Sequence, residues 1–353
     1  ALPVFCSDPL SSVAYATQEI LLVLVVAGAS ALAFTGWIAA AVVLLMIIVV
    51  ASYRQTVYAY PSGGGAYAVS RDNLGTTAAL VAASALLVDY VMTVAVSVTS
   101  GVSNIASAFP LVARHSVLVS IVVVVVLAFV NLRGVRESGT LFAIPTYGFV
   151  AAVAFLLVSA VIAAGAGHPV EAPSAHLPVD ASPLAGLALL FVVLRAFASG
   201  CTALTGVEAV SNGVPFFRRP KSRNASATLV LMAALAIGMF VGVTWLAMSS
   251  GVKYAEDPAT LGLPPGAEQP TVIAQLGIAV FGSHGIGFYV LQAFTAAILI
   301  LAANTAFNGF PVLASILGGD GFLPRQLGRR GDRLVFSNGI IILTTIAVLL
   351  IYW

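Results

Sequence analysis

The sequence predicts an all-α membrane protein, a bundle of bilayer-spanning helices. Three observations carry this. Of 353 residues, 60% are hydrophobic and 8% charged, against about 45–50% and roughly 25% in a soluble domain. The apolar residues gather into runs of about 20, the length that crosses the hydrocarbon core. The basic residues fall on alternate connections between those runs. Such a chain cannot cover itself with polar surface, which excludes a soluble enzyme and a nucleic-acid binder. Its net charge of +2 is too small for a polyanion partner. Two cysteines, Cys6 and Cys201, exclude a disulfide framework and read as inert thiols.

Nine segments emerge, approximately 1–28, 34–53, 77–108, 115–131, 142–166, 184–214, 226–250, 278–317 and 336–353. The first, sixth and eighth are interrupted or unusually long. The first is not a cleavable signal peptide, because it lacks a basic start and is interrupted by Asp8 and Pro9. The chain opens in an apolar run at Ala1 and closes in another at Trp353, so it is expected to be a fragment cut at both ends.

A cytoplasmic N-terminus puts Arg54, Arg71, Arg133, Arg136, Arg218, Arg219, Lys221, Arg223, Arg325, Arg329, Arg330 and Arg333 inside, 12 of the 15 Lys and Arg. Only Arg114 and Lys253 then lie outside, with Arg195 inside the sixth segment. The positive-inside bias selects this orientation, a multi-pass protein of the cell membrane surrounded by lipid. His115, His168, His176 and His284 fall at outer loops or segment ends with no metal-site spacing, and read as solvated. The Pro-rich stretches 167–183 and 251–270 read as outer connectors, the second with a short re-entrant helix. No linker separates soluble domains.

A charge in mid-bilayer costs about 2.5–3.5 kcal/mol on insertion scales. Asp8, Glu19, Asp89, Arg195 and Glu208 are therefore functional candidates. Asp8 precedes Pro9, which removes a backbone donor, and Ser7, Ser11 and Ser12 offer competing hydrogen bonds. The run predicts a helix broken in mid-membrane. Freed carbonyls beside a carboxylate suit a dehydrated cation. A Pro kink with a satisfied Asp is the alternative.

The sixth segment is interrupted likewise, by Gly200 and Gly206 among Thr202, Thr205 and Glu208. Thr205 and Glu208 stand i, i+3 and are expected to share a helical face. Small-residue helix packing explains the glycines but not Glu208. In the third segment Asp89, Thr93 and Ser97 recur every four residues, and Ser100 and Asn104 continue the stripe. It lines a water-filled path or a helix interface. Tyr15, two turns beyond Asp8, closes over the site or merely packs. Glu19 and Arg195 are expected to pair, as an external gate or as a structural ion pair.

Breaks in the first and sixth segments imply a five-segment repeat whose second half is inverted in the membrane. Residues 1–166 form the first repeat and 184–353 an incomplete second, within one transmembrane transporter domain 1–353. Inverted repeats of this kind belong to secondary transporters.

Ser7-Asp-Pro-Leu-Ser-Ser-Val-Ala-Tyr15 resembles the first broken helix of the KimA-type potassium importers, which belong to the amino acid–polyamine–organocation superfamily and are similar to KUP transporters. Tyr60-Pro-Ser-Gly-Gly-Gly-Ala-Tyr67, Gly200-Cys-Thr-Ala-Leu-Thr-Gly-Val-Glu208 and Ala303-Asn-Thr-Ala-Phe307 support the resemblance along nearly the whole chain. The resemblance implies a LeuT-like fold truncated after about nine helices, potassium uptake and proton coupling. It places Asp8, Tyr15, Asp89, Thr93, Thr205 and Glu208 at potassium-binding positions, with Ser97 continuing the third-helix face. Asp8, Asp89 and Glu208 are the proton-coupling candidates. The family's tenth helix and cytoplasmic C-terminal domain, associated with homodimers and cyclic di-AMP inhibition, are not in this chain, and the fragment alone is not expected to transport.

The expected function is potassium:proton symport by alternating access, with no cofactor. An amino-acid or polyamine permease is the alternative. Asp8 in the break repels a substrate carboxylate, an objection that a cationic polyamine survives. A channel would show selectivity rings instead. No nucleophile–base pair points to an enzyme, and the turn Gly63-Gly64-Gly65 lacks the Lys-Ser/Thr of a phosphate loop.

Overall fold

The structure, a computed structural model, describes residues 6–61, 65–134, 139–264, 267–328 and 336–353, without the side chains of 139–141. The middle of the glycine turn (Ser62, Gly63, Gly64), Pro265 and the inner-loop residues Arg136, Arg329, Arg330 and Arg333 lie outside the described residues.

The described chain is helical throughout. The first segment comprises α1 (Ser7–Ser11) and α2 (Val13–Val25), separated by Ser12 alone. A 3-10 turn, Ala29–Phe34, leads into α3 (Thr35–Ala59). The short α4 (Ala66–Leu74) precedes the long α5 (Thr76–Ala106). After α6 (Pro110–Ala113) come α7 (Ser116–Leu132) and α8 (Gly139–Gly165). The sixth segment is α9 (Gly186–Gly200), a 3-10 turn Cys201–Leu204 and α10 (Glu208–Asn212). The chain ends with α11 (Lys221–Ser249), α12 (Val272–Phe281), α13 (Ile286–Gly319) and α14 (Ser337–Tyr352).

Six helical stretches are long and apolar enough to cross a membrane: 29–59, 76–106, 142–165, 186–212, 221–249 and 286–319. Their outward faces carry large apolar side chains such as Trp37, Leu187 and Phe191, 78%, 84% and 66% exposed. Lipid, not water, solvates such a surface.

Two expectations are corrected. The long eighth run is two helices, because Gly282 turns left-handed at φ +76 and Ser283, His284 and Gly285 interrupt the apolar pattern. Among its described residues the connector 251–270 holds only a 3-10 turn, Pro258–Leu261, and the buried helix follows it as α12. The sequence reading also passed over α4, which is too short and too polar to register as a span.

Two apolar cores organise the bundle. The larger gathers buried side chains of α1, α2, α3, α8, α10, α11 and α12 together with Leu291, Ile298 and Leu299 of α13. The second gathers Val91, Val94, Val98 and Val102 of α5 with residues of α7, α14 and the later part of α13. Small residues allow close helix approach, as where Gly101 of α5 lies against Leu299 and the Ala296 carbonyl of α13. Buried polar pairs add specific ties: the Thr17 and Thr244 hydroxyls meet at 2.8 Å between α2 and α11, and Asn131 of α7 donates to Asn304 of α13 at 2.7 Å.

Candidate functional site

The two interrupted segments touch at Gly206. Thr205 is extended (φ −58, ψ 146) and Gly206 left-handed (φ +78), so the chain leaves the 3-10 turn and re-enters a helix only at Glu208. A Cβ on Gly206 would sit 2.6 Å from both Cγ and Oδ2 of Asp8. Only glycine satisfies both the backbone angle and this contact. The Ser12 and Thr205 hydroxyls join the same two segments at 2.8 Å. Ser12 also meets the Tyr15 hydroxyl at 3.2 Å, and Thr205 donates to the Thr202 carbonyl at 3.0 Å.

Thr205 and Glu208 therefore do not share a helical face. The extended and left-handed residues between them break that register. The first interruption is shallower than expected. Pro9 lies in the first turn of α1, where no intrahelical donor is required, and Ser12 keeps right-handed helical angles. The Asp8 carbonyl is not freed for a cation: it accepts from the Ser11 hydroxyl at 2.8 Å, and from the Ser12 amide and hydroxyl at 3.2 Å each. Its carboxyl is different. Asp8 is buried, yet Oδ1 makes no hydrogen bond within the protein, nor do the hydroxyls of Ser7 and Thr202.

Glu208 is buried, 7% exposed. Asp89, half-buried on α5, lies within electrostatic range of both Asp8 and Glu208. Above it on the same helix, Thr93 and Ser97 are buried, and Tyr15 is buried on α2. Among the described residues the ion pairs are Arg71–Asp320 and His176–Glu171, and none of them involves the three acids. A buried carboxylate without a partner is far too costly to persist as a bare anion. The site calls for a cation or for protons.

A cavity of about 640 Å³ leads from Asp8 and Glu208 to the surface. Asp8 and Glu208 line its buried end, Tyr90, Asn212, Thr305 and Asn308 its walls, and Tyr67, Arg71 and Asp72 its mouth. Tyr90 packs against Gly309, where a Cβ would lie 2.6 Å from the ring. Tyr53 also lies within electrostatic range of Glu208 and Asp89. The sequence reading missed Tyr53, Tyr90 and Asn308. Thr305 and Asn308, polar and close in an apolar helix, were the available signal. At the mouth, Asp320 accepts from Tyr67 at 2.6 Å and from Arg71 at 2.5 Å. The Tyr67 hydrogen bond, then the Arg71 charge, hold the Asp320 carboxyl below the usual carboxylate range.

Towards the other end of α5 lies α12, whose residues Val272–Gly277 are all buried. Thr271 caps it, accepting from the Ala274 amide at 3.2 Å, and donates to Asn104 of α5 at 2.9 Å. The Thr271 amide donates to Ser107 at 3.1 Å and the Val272 amide to Gln18 of α2 at 3.0 Å. The preceding loops are clamped by Lys253, which donates to the carbonyls of Ala175 and Leu177. Glu19 and Arg195 do not pair in this conformation. Glu19 is half-buried with Glu256 as its electrostatic neighbour, and Arg195 is exposed on α9. The four histidines are exposed.

The amino acid permease family model matches residues 2–353. Over 351 residues the chain is 43% identical to the potassium transporter KimA of Bacillus subtilis (strain 168), covering 99% of this chain and 55% of that protein. The chain thus spans little more than half of this relative.

Gly206→Ala should cost about 1–3 kcal/mol in backbone strain and displace Asp8. Thermal unfolding of the protein in detergent checks this, with Gly238→Ala as control, since a Cβ at Gly238 meets open space. Asp320→Asn should lower the melting temperature near neutral pH. Because the Asp320 carboxyl is held low, its contribution is complete above the ordinary carboxylate value of about 3.9 and disappears as pH falls through the folded value below it. The gap between wild type and variant should therefore close in acid, in melts from pH 7 to pH 3.

Proposed function

The chain belongs to the amino acid permease family, and within it we propose that this protein is the membrane core of a potassium:proton symporter. Potassium is the cargo, held by Asp8, Tyr15, Asp89, Thr93, Ser97, Thr205 and Glu208. The observation that carries this reading is the gathering of three acids around an unpartnered Asp8 oxygen, with no basic side chain paired to them among the described residues. A dehydrated monovalent cation can balance that charge. Carboxyl and hydroxyl oxygens are the hard ligands that replace its water.

Proton coupling follows from the same shortage of counter-charge. With the cation gone, the acids are tolerated in a dry site only when protonated. A proton on Asp8, Asp89 or Glu208 and a cation beside them are alternative ways of reaching the same neutrality. Release of one then favours entry of the other.

Alternating access is supported by the asymmetry of the two faces. The positive-inside bias supports a mouth at Arg71 on the cytoplasmic side, with α12 outside. The conformation described is then inward-facing. An inverted repeat of 1–166 and 184–353 accounts for the paired breaks, and the two apolar cores are the bodies that rock about the site. Homodimer formation and cyclic di-AMP control, in this reading, involve parts of the longer relatives outside the matched region.

A permease for amino acids is disfavoured by Asp8. A substrate carboxylate needs unpaired amides at the break, and here Gly206 packs on an acid instead.

The test is rubidium uptake by the full-length protein in vesicles. Wild type should take up rubidium faster when the outside is more acidic. Asp8→Asn and Asp89→Asn should fall to the background of empty vesicles. Wild-type flux in both variants would remove the site, and indifference to the pH difference would remove the coupling.

A further inference from the structure

Gln292 is a buried polar residue that neither the helix packing nor the acid cluster explains. It lies near the outer end of α13, 2% exposed, and neither atom of its amide makes a hydrogen bond within the protein. Across from it is Gly277 of α12, whose absent Cβ would come within 3.9 Å of the amide nitrogen and against Leu291 and Phe288. Leaving such a group unpaired is destabilising. Leu or Met would fill the space without that cost.

Its position suggests a use. α5 and α13 run antiparallel, with Gly101 opposite Ala296 and Leu299. Following that register outward brings Gln292 level with Ala106 and Ser107, within a turn of Asn104. This is where the start of α12 is tied down, by Thr271 to Asn104 and Ser107. Inward along α5 from Asn104 comes Ser97, about 10 Å away at 1.5 Å per residue, fully buried and likewise without a hydrogen bond. Thr93 and Asp89 follow at one-turn intervals. Between the α12 ties and the acids, the paired α5 and α13 thus carry two buried polar side chains without partners, Gln292 and Ser97.

We propose that Gln292 is an outer subsite for the monovalent cation. When α12 lifts, Thr271 leaves Asn104, and the side-chain oxygens of Gln292 and Asn104 become available together at the same depth. They replace part of the ion's hydration shell before it reaches Ser97 and the acids. This inference rests on the potassium reading above and adds an entry step to it.

Gln292→Met keeps the length of the side chain and removes the amide. Rubidium uptake by cells expressing the full-length protein should show an external KM raised roughly three- to ten-fold, about 0.7–1.4 kcal/mol at 1.4 kcal/mol per decade. Efflux into inverted membrane vesicles should keep its KM at the inner face. An unchanged external KM with a higher melting temperature would overturn the proposal and make Gln292 a structural residue. Equal changes at both faces would overturn it too, since Gln292 would then act on the central site. Gln292→Leu covers a Met variant that fails to fold: it too removes the amide and should raise the external KM, and an unchanged value again overturns the subsite. Wild-type protein that moves no rubidium would reject the potassium reading instead.

Discussion

Everything in this molecule depends on two helix interruptions meeting with no side chain between them. Gly206 allows it, by taking a left-handed backbone angle and presenting only hydrogen to the Asp8 carboxyl. The hydroxyl contact from Ser12 to Thr205 then fixes the register of one segment against the other. The result is a cluster of acidic groups in surroundings that would repel them singly. Among the described residues the fold supplies hydroxyls and phenols nearby but no paired base, so the cluster calls for a cation or for protons.

The cluster also lies on the seam between two apolar cores. Asp8 and Glu208 come from elements of the larger core and Asp89 from the helix that organises the smaller one. A guest held by all three is a bond across the seam.

Most of the helices were legible because an apolar run in a chain with so few charges has no other use. Asp8, Asp89 and Glu208 were legible for the converse reason, since an acid in such a run is expensive. What was not legible depended on local backbone geometry. The i, i+3 spacing of Thr205 and Glu208 assumes a continuous helix, and one left-handed residue cancels it. Pro9 looked like a helix breaker, yet in a first turn it disturbs little. Tyr53 and Tyr90 resemble ordinary packing aromatics until the third dimension puts them beside the acids. Glu19 and Arg195 looked complementary by depth, but depth does not fix the side of a helix on which a residue lies. Gln292 gave no signal at all, because a lone amide in a helix is usually satisfied by a neighbour.

The tie between α2 and α12 is made by a side chain on one partner and by the main chain on the other: Gln18 accepts from the amide nitrogen of Val272. Any residue except proline supplies that nitrogen. Related chains are thus free to drift at position 272 among apolar residues of similar bulk, while position 18 must retain an acceptor of the same reach. The two ends of one bond evolve under unequal constraint, and a search for co-varying positions would pass it by.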